Sequence, residues 1–478
     1  MHKSMPEQGR DSDQILNDLE AFKERDPQYK DGRVWSLVYY LDEEHAAFLK
    51  ESYHRFACEN GLNPGAFKSL KKMETEVISA TADILNGTEE VCGVVTSGGT
   101  ESCLLAVKTY RDMARDQRRV KKPEMIMPTT AHVAWFKASE YFGVKIRLVP
   151  LKRDFTPDLR KLKRMINRNT VMILGSAPEY PHGMIDPIEA MGEIARKRNI
   201  PLHVDACVGG FILPFMEMNG ETLPPWDYRV PGVTSISADI HKYGYAAKGA
   251  STITYRNLDY LRYQMFAYQN WPGGVFASSA LLGTRPGGAY AGAWGVMQYF
   301  GKEGYRKLAR DTAAAVSQLK AGIAAIPELE VMGAPQGPLF SFRSIDPAVN
   351  IYAVGDQMDA KGWQVNRNQF PAGLHAMVTA QHLRVVEPYL DDLRAAVETV
   401  KANPELARQG GAATYGMMAH VPLRGMVKKR VLEMYSEQYR AGGGELDLAA
   451  GAEAGSGKSL LDRLVQRYVD RRSRKSAS

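Results

Sequence analysis

Residues 235 to 249 read Ser235-Ile-Ser-Ala-Asp-Ile-His-Lys-Tyr-Gly-Tyr-Ala-Ala-Lys-Gly249. Ser235 to Ala238 is strand-like. His241 and Lys242 follow, and Tyr243-Gly-Tyr245 then turns the chain without another charge until Lys248. A lone lysine is nearly always a solvated surface charge. Here the neighbours are apolar, and desolvation favours loss of the proton. The neutral amine that results can condense with an aldehyde to a Schiff base.

Outward from this stretch, short apolar runs alternate with charged helical segments. The runs are Val91–Thr96, Glu124–Thr129, Ile146–Leu151, Val171–Ser176, Leu202–Ala206, Ser235–Ala238 and Ser251–Tyr255. Between them Ser102–Gln117, Pro157–Ile166 and Ile188–Arg198 have helical texture. That alternation predicts an α/β fold, a mostly parallel sheet with helices on both faces. Ligands of such sheets sit beyond the carboxyl ends of the strands.

Two other motifs fall at strand ends. His203-Val-Asp-Ala206 ends a strand with the carboxylate Asp205, which is costly to bury unless paired. A helix N-cap is the plain alternative for it. Thr96-Ser-Gly-Gly-Thr-Glu-Ser102 opens a helix whose terminal amides attract phosphate, although many glycine pairs are only turns. His132, just after a strand, suits stacking on a ring; a lone histidine is more often structural. Gly283-Thr-Arg-Pro-Gly-Gly288 is a further small-residue turn. A Schiff-base lysine, an aspartate for a pyridinium nitrogen and a phosphate loop are the three protein parts that pyridoxal 5'-phosphate (PLP) requires.

The flanks are less regular. Residues 1–90 read as a helical N-terminal segment, with helices expected at Gln14–Glu24 and Phe67–Leu85. Residues 91–304 form the large cofactor-binding domain. Residues 305–441 read as a smaller α+β domain, beginning with a helix at Tyr305–Ile326. Residues 442–478 read as a flexible Gly/Ala-rich linker, a short helix at Leu460–Val469 and a basic tail. That tail could touch a membrane surface, but a solvated end is the plainer reading. Gly457-Lys458-Ser459 imitates the end of a P-loop. No strand precedes it, and Ala452 stands where its first glycine belongs.

The chain of 478 residues is 44% hydrophobic and 24% charged, ordinary for a globular protein. Its net charge of +7 lacks the aromatic interleaving that marks nucleic-acid binding. Cys58, Cys92, Cys103 and Cys207 are scattered, and no two are spaced as metal ligands, so no metal is expected. No signal peptide or apolar run of membrane-spanning length is evident. A cytoplasmic enzyme is expected.

These motifs together resemble the sphingosine-1-phosphate lyase family, a fold-type I branch of the PLP-dependent amino-acid decarboxylase group. Further matches are Ala177-Pro-Glu-Tyr-Pro-His-Gly183, Arg285-Pro-Gly-Gly288 and Gly362-Trp-Gln-Val-Asn366, and the likeness runs from about Gly32 to about His420. The resemblance implies retro-aldol cleavage of sphingosine 1-phosphate to phosphoethanolamine and a long-chain aldehyde, with Lys242 and Tyr180 as catalytic residues. It implies cofactor contacts from Gly99, Thr100, His132, Asp205, His241 and Lys242. Thr284 would reach in from the second subunit of a homodimer. Tyr39, Asn60, Asn63 and Lys248 would hold the substrate phosphate. The family pattern Asn-Pro-Leu-His becomes Asn60-Gly-Leu-Asn63 here, an amide in place of an imidazole. The alternatives are an amino-acid decarboxylase on the same fold and a non-catalytic cofactor- or lipid-phosphate-binding protein.

Overall fold

The structure is a computed structural model that describes residues 4–413, 415 and 424–441. The expected linker, C-terminal helix and basic tail after residue 441 lie outside the described residues.

All seven expected strands form, each within two residues of its expected bounds: β1 (Cys92–Thr96), β2 (Glu124–Pro128), β3 (Lys145–Val149), β4 (Thr170–Ser176), β5 (Leu202–Asp205), β6 (Val233–Ala238) and β7 (Ser251–Tyr255). They make one sheet in the order β1-β7-β6-β5-β4-β2-β3. β7 is antiparallel to both neighbours, and the pairings among the others are parallel. The carboxyl ends of β1, β2, β4, β5 and β6 therefore meet along one edge.

The central strands β4, β5, β6 and β7 are buried along their whole length because both faces are covered. Ile126 of β2 joins one core cluster, while Met125 and Met127 join another on the opposite side, as the two-residue pleat requires. Three helices precede the sheet: α1 (Ser12–Phe22), α2 (Glu43–His54) and α3 (Lys68–Ile84). Leu70, Val77 and Ile78 of α3 share a core with Val95 and Ile236 of the sheet, so this N-terminal part is packed into the large lobe. Next come α4 (Gly99–Arg118) and α5 (Val133–Phe142), whose Cys103, Leu104, Trp135 and Ala138 fill the opposite core.

Two features depart from the sequence reading. Residues 266–278 form an antiparallel hairpin, β8 (Phe266–Trp271) and β9 (Gly274–Ser278), that the sequence did not signal. It lies outside the core, with Phe266, Trp271 and Val275 exposed, so it lacks the half-buried alternation that reveals a strand. The second is an additional helix before the one expected at Tyr305. Two helices meet end to end between Gly287 and Ala324, separated by the non-helical Gly301 (φ 54°, ψ −175°), so the expected helix is present from about residue 302 and an unexpected one precedes it. Glycine takes that left-handed turn at little cost. Beyond it, a four-stranded antiparallel sheet packs with helices Ile351–Ala360 and Val386–Ala402 around a separate core, the expected α+β lobe.

Candidate active site

The strand ends open on a cavity of about 400 Å3. Five chain segments supply its walls: Ser97–Cys103, His132, Ser176–Tyr180, Asp205–Val208 and Asp239–Lys242. Topology explains the gathering. β1, β2, β4, β5 and β6 each finish at this edge, and each hands on a loop that carries a polar side chain.

The first loop leads into α4, and Ser97, Gly98, Gly99 and Thr100 line the cavity. A Cβ on Gly99 would stand 2.6 Å from Asp239 Oδ2 and 2.8 Å from Cys207 Sγ, so only glycine lets the helix come this close. The Ser97 amide donates to Glu101 Oε2 at 2.7 Å, and the Leu281 amide donates to Glu101 Oε1 at 2.8 Å. Glu101 thereby ties the loop to residues just before Thr284.

Asp205 is not a helix cap. It is buried at the end of β5, where Trp135 Nε1 donates to Oδ2 at 2.8 Å and the Cys207 amide donates to Oδ1 at 3.1 Å. Both oxygens keep a lone pair for a cavity ligand. His132 is itself the N-cap of α5, its Nδ1 accepting from the Ala134 amide at 3.2 Å, and burial lowers its pKa. The ring is therefore neutral and held edge-on to Tyr180, centroids 6.1 Å apart.

Lys242 corrects one expectation. Desolvation was to strip its proton. Burial does push that way, but Asp239 Oδ2 lies 2.9 Å from Nζ, and the pair outweighs it: the lysine is held well above its ordinary value. Asp239 is 1% exposed; burial raises its carboxyl, but Lys242 and His241 bring it below the usual range. Its Oδ1 has no hydrogen-bond partner among the described residues. Sequence reading missed Asp239 and Trp135. The signal for the first was available, because Asp239 stands three residues before Lys242 in the quoted stretch. Nothing in the sequence marked Trp135.

Tyr180 follows β4, stacked on His375 with centroids 4.4 Å apart, and Asn366 Nδ2 donates to its Oη at 3.3 Å. Burial raises its pKa and keeps it protonated. Tyr39 and Lys248 meet each other: Lys248 Nζ sits 4.9 Å from the Tyr39 ring centroid. Desolvation, then the charge of Lys242, lowers Lys248 to about 8, although its outer side is open to solvent.

The remaining expected residues gather elsewhere. Asn60 Nδ2 donates to Thr284 Oγ1 at 3.2 Å, and Asn60 Oδ1 accepts from the Leu62 and Arg285 amides. Asn63 Oδ1 accepts from the Gly65 and Ala66 amides, which makes it a turn cap. None of Tyr39, Lys248, Asn60, Asn63 and Thr284 lines the cavity of its own chain. The fold also joins Cys103, Cys207 and Asp205 in one buried group, against the expectation from cysteine spacing.

PLP fits these residues. The lysine amine, a carboxylate with free lone pairs, a glycine cradle at a helix start and a neutral imidazole face one cavity of suitable size. The comparisons agree. A family profile, the pyridoxal-dependent decarboxylase conserved domain, matches residues 5–345. Sphingosine-1-phosphate lyase of Oryza sativa is 44% identical over 88% of this chain and 79% of its own length. A probable sphingosine-1-phosphate lyase of Legionella pneumophila is 31% identical over 92% and 74%. The solved sphingosine-1-phosphate lyase of Burkholderia pseudomallei superposes with a TM-score of 0.83 at 35% identity, covering 91% of this chain and 97% of that one. Glutamate decarboxylase of Lactobacillus brevis, 20% identical with a TM-score of 0.73, shares the fold. The chain belongs to the sphingosine-1-phosphate lyases, within the pyridoxal-dependent decarboxylase family.

Proposed function

We propose that this enzyme cleaves the C2–C3 bond of phosphorylated sphingoid bases, releasing phosphoethanolamine and a long-chain aldehyde. The convergence of Lys242, Asp205, His132 and the Gly98–Thr100 cradle on one cavity carries this reading. Bound PLP supplies the sink for the electron pair left on C2. Lys242 is the amine that holds the cofactor aldehyde. Asp205 pairs with the ring nitrogen, and its two fixed donors keep the carboxylate in place. His132 covers the ring face. Gly99, Thr100 and His241 surround the cofactor phosphate at the start of α4. Lys242 Nζ and Tyr180 Oη are the groups that can move a proton at the reacting carbons. Burial keeps Tyr180 protonated, which suits it to give a proton rather than take one. Tyr39 and Lys248 take the substrate phosphate.

We place Asn60, Asn63 and Thr284 at the site of a second subunit. The exposed Phe266, Tyr268, Trp271, Val275, Leu281 and Leu282, in the segment that leads to Thr284, support a homodimer. No helix among the described residues is long and apolar enough to cross a membrane. Four free cysteines suit a reducing compartment, and we assign the enzyme to the cytoplasm. Mass spectrometry of the products formed from sphingosine 1-phosphate and PLP tests the reaction. Aldehyde and phosphoethanolamine support it; carbon dioxide from glutamate or an aromatic amino acid, with no aldehyde, overturns it.

A further inference from the structure

Three ligand atoms converge at the floor of the cavity from elements distant in sequence. Cys103 lies in the first turns of α4, Asp205 ends β5, and Cys207 follows two residues later. The two thiol sulfurs and a carboxylate oxygen all lie within 4.8 Å of one another, and all three residues are buried. Tetrahedral ligands about 2.3 Å from a central ion stand roughly 3.8 Å apart, a spacing such a group can reach. The surroundings already orient these ligands. Trp135 Nε1 and the Cys207 amide fix the carboxylate, and Cys207 Sγ lies 3.3 Å from Ser237 Oγ. Outer partners of this kind set a site before an ion arrives. Cys103, Asp205 and Cys207 all line the cavity, so an ion can reach them without opening the fold, and three protein ligands leave a fourth position to fill.

We propose that Cys103, Cys207 and Asp205 bind one thiophilic divalent cation of the zinc or cadmium class when the chain lacks its cofactor, and that cation and cofactor exclude each other. Two sulfurs, one carboxylate and an open position select such ions over magnesium or calcium. Binding itself rests on the cluster alone. Exclusion rests on the proposed role of Asp205, because that carboxylate would have to serve both a ring nitrogen and a metal.

The test uses the full chain stripped of PLP, in a Cys58→Ser/Cys92→Ser background that removes the other thiols. Cadmium chloride is titrated in while the ultraviolet thiolate-to-cadmium charge-transfer band is followed. One equivalent should saturate the band. Cys103→Ser and Cys103→Ala should lose it and bind cadmium at least about tenfold more weakly. The alanine variant keeps the site apolar, and matching circular dichroism separates a lost ligand from a lost fold. The PLP-loaded chain should show no band, and cadmium should slow PLP uptake until a chelator is added. A missing band, or one that survives both Cys103 variants, overturns the site. A band with unhindered PLP uptake overturns the exclusion. A stripped chain that takes up no PLP in metal-free buffer would instead refute the cofactor reading.

Discussion

Replacing Asp239 with asparagine removes the counter-ion of Lys242 while keeping the shape of the side chain. The pair is 2.9 Å long, with the aspartate side chain 1% exposed and the lysine 27%. Coulomb's law at that separation and an effective dielectric of about 20 gives about 6 kcal/mol. Desolvation of the two ions takes back much of it, and solvent at the lysine screens more, leaving a net effect of about 2–3 kcal/mol. The lysine pKa is raised in the folded chain. A group raised in this way contributes its full stabilisation below its ordinary value and loses it only as pH climbs through the raised one. At neutral pH the pair is therefore fully in force. Without Asp239, the desolvation of the partly buried Lys242 goes largely unopposed and its pKa falls. Two results follow for the cofactor-stripped chain. Thermal unfolding at neutral pH should move down, with the gap to the parent narrowing in alkali. PLP uptake, which needs the neutral amine, should become at least about tenfold faster near neutrality. Uptake that is unchanged or slower across the pH range, followed by stopped-flow absorbance, would show that Asp239 does not hold the lysine charged.

Asp205→Asn should weaken PLP binding by about 10- to 150-fold, the loss of one charge-assisted hydrogen bond worth about 1.5–3 kcal/mol, read by titrating the stripped chain with cofactor. Its single amide oxygen also cannot accept from both Trp135 and the Cys207 amide, so thermal stability should fall as well. Lys248 sits low, at about 8, and loses its charge above that value. KM for the phosphorylated substrate should therefore rise as pH climbs through about 8, and Lys248→Met should abolish that dependence. A mixture of Lys242→Ala and Thr284→Arg subunits tests the shared site: each variant alone should be inactive, and mixed dimers should regain one working site of their two. No recovery on mixing, with dimers confirmed by sedimentation, would place Thr284 outside the partner's site.

The large lobe was legible because its signals are local. Strands such as Val171–Ser176 are buried on both faces, so they read as unbroken apolar runs. Their carboxyl ends can be located from the runs alone, which is why Asp205, Lys242 and the Thr96–Ser102 loop were placed correctly beside one another. The hairpin at 266–278 carried no such mark, because its side chains face outward. The helix between Gly287 and the break at Gly301 was hidden by glycines at 287, 288, 292 and 295, which read as a turn-rich segment.

By itself, the order of residues determined the seven strands and the helix that opens on Gly99, and it singled out Lys242, Asp205 and His132 as candidates, since each of these depends on its neighbours in the chain. Only the tertiary structure decided how those groups are charged and held. The Trp135 bond to Asp205 spans 70 residues, and the thiols of Cys103 and Cys207 meet across 104 positions in the numbering. The protonation of Lys242 depended on folding too, though its partner is only three residues away. A carboxylate beside a lysine in a solvated chain does little, whereas the same two groups out of water, 2.9 Å apart, reverse the sign of the shift that burial alone would impose.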